Sequence, residues 1–153
     1  MTLVVVEPAG PALHWSTNSL EYQHESRPSM DHPSPKSVLI VDDSRVSRLL
    51  IRSLILAQFP HWTVTEAVSG DEALALAAAR PFDYCTMDIN MPGLQGTEAT
   101  EQLLKMQPTV RVALFSANIQ ESQQIRATQL GAQFVAKPVT PKSVALALAY
   151  FQG

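Results

Sequence analysis

From Ser37 onward the chain alternates short apolar runs with longer stretches of helical period. The runs Val38–Val41, Thr63–Thr65, Tyr84–Met87, Val110–Phe115 and Phe134–Ala136 have the length and residue types of buried strands. Between them Arg45–Gln58, Gly70–Ala79, Gly96–Met106 and Ile119–Leu130 read as helices, and a last helix runs from Pro141 to about Phe151. In the first helix Val46, Leu49, Leu50, Ser53 and Leu54 fall at i, i+3, i+4, i+7 and i+8, a largely apolar stripe of the kind that faces a core. Pro60, Pro81, Pro108 and Gly131 supply stops after the first four helices. Strand–helix units joined by short links predict a parallel sheet covered on both faces, and right-handed crossovers make it a doubly wound α/β domain. On the last helix Val144, Leu148 and Phe151 share the side expected to pack on the sheet, while Leu146 and Tyr150 lie nearly opposite at about 100° per residue. A lone surface Leu or Tyr needs no explanation, but a helix apolar almost all round normally has two buried sides. The sharper reading makes Leu146 and Tyr150 anchors for a partner or a second copy.

The first 36 residues break this pattern. They hold five of the eleven prolines and no sustained period, which predicts a flexible extension over 1–36 and a domain over 37–153. Val4–Val6 is a weak edge-strand candidate, and Met30 offers a second start for the natural product. Tyr150–Gly153 also matches the end of a protease-cleavage tag. Hydrophobic residues make up 46% and charged residues 16%, enough for a real core. A net charge of -3 without a basic run argues against a nucleic-acid surface. No apolar run approaches the ~20 residues of a membrane span, and the start lacks the basic region of a signal peptide, so the cytoplasm is expected. Cys85, the one cysteine, sits in an apolar strand and reads as a small buried hydrophobe rather than a reactive thiol.

In a doubly wound sheet the working site lies beyond the carboxyl ends of the strands. There the sequence puts Asp42 and Asp43 after strand one, Asp88 after strand three, Ser116 after strand four and Lys137 after strand five. Each alone has an ordinary explanation: Asp43, Ser44 or Ser116 as a helix cap, Asp88 as a turn residue, Lys137 as a solvated charge. Together they form a set. Three converging carboxylates repel one another, and a hard divalent ion such as magnesium, which prefers oxygen ligands, relieves that. Lys137 adds the positive charge a transferring phosphoryl group needs. The chemistry is then phosphoryl transfer to a carboxylate. Asp88 is the central nucleophile, Asp43 a direct metal ligand, and Asp42 a ligand through water or an orienter. Lys137, Ser116 and the backbone N–H of Ala117 are left to hold phosphoryl oxygens.

Val38-Leu-Ile-Val-Asp-Asp43, Gly70-Asp-Glu-Ala-Leu74, Met87-Asp-Ile-Asn-Met-Pro-Gly93 with Gly96, Phe115-Ser-Ala-Asn118 and Phe134-Val-Ala-Lys-Pro138 resemble, in order and spacing, the response-regulator receiver family. The resemblance runs from about Ser37 to Phe151. It implies a flavodoxin-like (βα)5 fold with parallel strand order 2-1-3-4-5 and Asp88 as phosphoacceptor. The backbone carbonyl of Asn90 would join Asp42, Asp43 and Asp88 around Mg2+. Ser116 and Phe134 would stand at the switch positions, and Lys137–Pro138 would be cis. Gln95 replaces a common acid, and Ser116 a more usual threonine. The implied partners are a histidine kinase or histidine phosphotransfer protein, and a downstream protein bound by the face of helix four, strand five and helix five. A phosphorylation-dependent homodimer is the self-associating form of that output. Within the family, the alternative is a relay intermediate that passes the phosphoryl group to a phosphotransfer protein. An enzyme is not expected: an aspartate-nucleophile phosphatase usually needs a second acid where this chain has Asn90. A flavin module wants a Ser/Thr/Gly-rich loop where it has Asp42-Asp-Ser-Arg45.

Overall fold

The computed structural model describes residues 34–153. The expected extension over 1–36, the Val4–Val6 strand and the Met30 start therefore lie almost wholly outside the described residues. Five strands, β1 (Ser37–Val41), β2 (Thr63–Ala67), β3 (Tyr84–Asp88), β4 (Arg111–Ser116) and β5 (Gln133–Ala136), form one parallel sheet in the order β2-β1-β3-β4-β5. The connecting helices are α1 (Arg45–Gln58), α2 (Gly70–Ala79), α3 (Gly96–Met106), α4 (Glu121–Gln129) and α5 (Pro141–Gln152). This is the flavodoxin-like architecture expected.

Strand alternation divides the core into two layers. Leu39, Val41, Cys85, Met87, Val112 and Leu114 point to the side covered by α2, α3 and α4, where Ala73, Ala99, Leu103 and Ala127 meet them. Val38, Ile40, Tyr84, Ala113 and Phe115 point to the other side, against Ile51 and Ile55 of α1 and Val144, Leu148 and Phe151 of α5. Cys85 is buried as expected, and its surroundings push the thiol up, away from the reactive thiolate. Ser44, Ser69 and Thr140 cap α1, α2 and α5 by accepting from the backbone N–H three residues on. No helix among the described residues is long and apolar enough to cross a membrane.

Three expectations need correction. The α1 stripe does not face the core: Val46, Leu49 and Leu50 are 67%, 47% and 44% exposed, and Ser53 is exposed beside them. Apolar residues populate α1 on several sides, and the longest run of helical spacing is the outward one. The buried pair Ile51 and Ile55 is flanked by half-buried Leu54, with Arg48 and Arg52 turned toward Glu66 of β2. Ile51→Ala is therefore expected to destabilise the domain by about 2–5 kcal/mol, and Leu49→Ala by no more than about 0.5 kcal/mol. Denaturant midpoints will separate the two, and equal losses would contradict this orientation.

The fourth helix starts later than expected, at Glu121, because the Asn118 side chain accepts from the Gln120 N–H (3.0 Å) and holds the preceding residues as a turn. On α5, Leu146 is 53% exposed, but Tyr150 is not a free anchor. Its hydroxyl donates to the Gly131 carbonyl at 2.7 Å, and its ring lies under the Arg111 guanidinium, 5.4 Å from the centroid. Arg111 also donates to the Tyr150 carbonyl at 2.6 Å. A half-buried tyrosine held at ring, hydroxyl and backbone belongs to the fold.

Candidate functional site

The carboxyl ends of β1, β3 and β4 and the residue after β5 bring Asp42, Asp43, Asp88, Ser116 and Lys137 to one edge of the sheet. β1 and β3 are neighbours paired through Val41 and Met87, so the acids that follow those residues come out side by side. Their carboxylate oxygens lie within 4.8 Å of one another. α3 begins directly against this edge. A Cβ on Gly96 would stand 2.7 Å from the Ile89 Cα and 2.8 Å from the Asp88 carbonyl carbon, so only glycine allows the helix this close.

The three acids are held differently. Asp42 is buried and fixed on every side. Its N–H donates to the Ala67 carbonyl (3.2 Å), and its carboxylate accepts from the Ser44 N–H (2.9 Å) and from Lys137 Nζ (3.0 Å). Its carbonyl accepts from Arg48 Nη1 (2.8 Å). Asp43 is exposed at the mouth. Asp88 is 5% exposed and faces Lys137 Nζ at 3.5 Å.

Burial is the largest influence on Asp88, and Asp42 and Asp43 add repulsion that the nearby Lys137 only partly offsets, so its carboxyl is pushed up to about 6. Burial alone would pull the Lys137 ammonium down. The hydrogen bonds and charges of Asp42 and Asp88 outweigh that, and it moves upward, remaining charged at neutral pH.

This donor set fits a magnesium ion. All the donors are carboxylate oxygens on one edge, and a cation there would offset both the burial of Asp88 and the repulsion from Asp42 and Asp43 that raise its carboxyl.

On the other side of Asp88, the Ser116 hydroxyl oxygen accepts from the Asn118 N–H (3.0 Å) and from the Asn90 side-chain amide (3.2 Å). Ala117 sits exposed beside it. Phe134, opposite Leu114 in the β4–β5 register, is half-buried against the α2–α3–α4 layer. The Lys137–Pro138 peptide is cis.

Of the expected residues, Asp42, Asp43, Asp88, Ser116 and Lys137 lie at this edge with Asn90 and Ala117 beside them. Phe134 lies in the α2–α3–α4 layer, and Leu146 and Tyr150 lie on α5. Arg48 and Glu66 adjoin the acids without having been expected there. Arg48 and Glu66 brace the Asp42 backbone through a 2.9 Å ion pair, and the Asn90 side chain engages Ser116. An acid in β2 facing two arginines on α1 was the one visible trace of the brace. The bond from the Asn90 side chain to Ser116 joins the ends of two strands and leaves no mark in the sequence spacing.

A family model, that of the response regulator receiver domain, matches residues 38–149. The chain belongs to the response-regulator receiver family. It is similar to the chemotaxis protein CheY of Thermotoga maritima, with 34% identity over 74% of this chain and 94% of that one. It is also similar to the nitrate/nitrite response regulator NarL of Escherichia coli, at 28% identity over 78% of this chain and 56% of that one, so the receiver spans about half of that longer relative. Among solved structures it resembles a response regulator from Burkholderia pseudomallei that carries a phosphorylated aspartic acid, a calcium ion and citrate. That match has a TM-score of 0.64 and 30% identity, and covers 74% of this chain and 66% of that one. A receiver is a module of two-component signalling, and the acidic edge is where such a module could bind Mg2+.

Proposed function

We propose that this receiver accepts a phosphoryl group on Asp88 from a histidine kinase or histidine phosphotransfer protein in the cytoplasm. It then signals by protein contact rather than by turnover. One observation carries the reading: three carboxylates within 4.8 Å of one another face an ammonium group 3.0 Å from Asp42 and 3.5 Å from Asp88. At neutral pH Asp88 is ionised often enough to attack, since its carboxyl titrates near 6. One of its oxygens forms the O–P bond as the donor's N–P bond breaks, and the leaving imidazole takes up a proton. Magnesium, when bound by Asp43, Asp88 and the Asn90 carbonyl with Asp42 orienting, supplies neutralisation of the phosphoryl charge. Lys137, the Ser116 hydroxyl and the Ala117 N–H hold phosphoryl oxygens. The phosphorylated aspartate of the Burkholderia pseudomallei relative supports this assignment.

Phosphorylation adds about -1.5 to -2 charges. Ser116 is then drawn from Asn90 toward the new oxygens, and Phe134 turns into the vacated space. The change reaches the face of α4, β5 and α5, where Leu146 remains an exposed anchor for a target protein or a second copy.

Intact mass after incubation with a small phosphodonor and magnesium tests the reading. The expected result is one added phosphoryl group on the parent, none on Asp88→Asn, and none in excess chelator. Full labelling of Asp88→Asn, or labelling undiminished by chelator, would overturn it.

A further inference from the structure

Asp43 is the least constrained acid of the cluster: it is exposed, and among the described residues its carboxylate accepts no hydrogen bond from the protein. Its direction is set by the peptide that joins it to Asp42. That peptide is held from two sides. The Asp42 carboxylate is fixed by Ser44 and Lys137, and the carbonyl, which is part of the Asp42–Asp43 peptide itself, is held by Arg48 Nη1 at 2.8 Å.

Arg48 is in turn held. Its side chain is 12% exposed, and Nε donates to Glu66 Oε1 at 2.9 Å. Two edges of one rigid, planar guanidinium thus join β2 to the end of β1, a fork that a lysine cannot reproduce with its single nitrogen. Arg52 reaches the other oxygen of Glu66 at 3.1 Å, and among the described residues its side chain hydrogen-bonds Glu66 alone. The two arginines share an acceptor and differ in contact with the acid pair, which supplies an internal control.

We propose that Arg48 is a positioning residue for the magnesium site: it fixes the Asp42–Asp43 peptide plane and so aims Asp43 at the ion. The proposal rests on the reading of the acids as a magnesium site and adds the group that aligns them. Partners that orient metal ligands typically change affinity by about 10–100-fold when removed. Arg48 acts through the backbone, so the lower end, about tenfold, is expected.

Magnesium titration by calorimetry tests this on the full chain, with thermal midpoints recorded for each protein. Arg48→Met is expected to weaken magnesium binding about tenfold. Arg52→Met, which also removes an ion pair from Glu66, should bind magnesium as the parent does. At saturating magnesium, Arg48→Met should reach the parent's labelling rate, so that the defect is one of affinity. If Arg48→Met fails to fold, Arg48→Lys takes its place. It keeps the charge but cannot hold Glu66 and the Asp42 carbonyl together, and an intermediate weakening is expected. Magnesium affinity within twofold of the parent in a folded Arg48 variant overturns the proposal. So does equal weakening by Arg52→Met, which would mean a general loosening of α1 on β2. Asp43→Asn separates the two levels. If it abolishes magnesium binding while the Arg48 variants retain it, the site reading stands and the positioning role fails. If the parent binds no magnesium, both fail.

Discussion

Gly96→Ala should lower stability by about 3 kcal/mol and sharply slow phosphoryl labelling of whatever remains folded. Overpacking typically costs about 1–3 kcal/mol when neighbouring side chains can give way. Here the neighbours are the backbone of Asp88 and Ile89, with the Ile89 Cα only 2.7 Å from the added methyl, so they cannot turn aside as a side chain would. The Gly96 N–H also donates to the Ile89 carbonyl at 2.9 Å, tying the start of α3 to the strand end it would have to leave. Gly70→Ala is the milder comparison: its nearest contacts would be Ala99 Cβ at 3.1 Å and Leu94 Cδ2 and the Leu94 carbonyl oxygen at 3.2 Å, each several tenths of an ångström longer than the backbone contacts at Gly96. Denaturant midpoints for both variants, with intact-mass labelling, will test the ordering. A Gly96→Ala protein as stable and as readily labelled as the parent would show that α3 can retreat without disturbing Asp88.

The second large effect is a gain. In the metal-free protein the Asp88 carboxyl is pushed from 3.8 up to about 6 by burial and by the two neighbouring acids. A carboxyl raised in the folded state favours the protonated fold. That contribution is fully present below about 4 and is lost as pH rises through about 6. Asp88→Asn removes the penalty. At about 1.36 kcal/mol per pKa unit, and discounted for the solvent at the mouth, the variant should be more stable than the parent by about 2 kcal/mol above pH 7. The two should converge near pH 4. Saturating magnesium stabilises the parent, because it binds the fold and not the unfolded chain, and should narrow the gap. Thermal midpoints from pH 4 to 8, with and without chelator, give the answer, and a parent as stable as Asp88→Asn at pH 7.5 in chelator would contradict the repulsion.

Much of this was legible because the strand-end residues obey a rule of position. Once alternating runs predict a parallel sheet, Asp42, Asp43, Asp88, Ser116 and Lys137 must meet at one edge, whatever their distance in sequence. What the sequence hid was orientation and long-range partners. α1 carries apolar residues on more than one side, and periodicity cannot tell which side meets the sheet; Ile51 and Ile55 are buried and Val46, Leu49 and Leu50 are not. Tyr150 looked like a surface residue because its partners, Arg111 and Gly131, lie on β4 and after α4. The role of Arg48 is hidden in the sequence for a similar reason: its two acceptors are a backbone carbonyl and an acid from the neighbouring strand, and neither pairing has a fixed spacing.

The last turn of α5 bears on how the protein can be handled. Phe151 is 3% exposed and stacks on Tyr84, ring centroids 4.6 Å apart, and Tyr84 in turn packs on Trp62, itself stacked on Phe59. A column of four aromatic rings therefore closes the end of the domain opposite the acids, and one of its two terminal rings, that of Phe151, lies only two residues before Gly153. Linkers, purification handles or surface tethers joined at that end should begin beyond Gln152, and trimming back into Tyr150 or Phe151 would remove a piece of the interior rather than a tail.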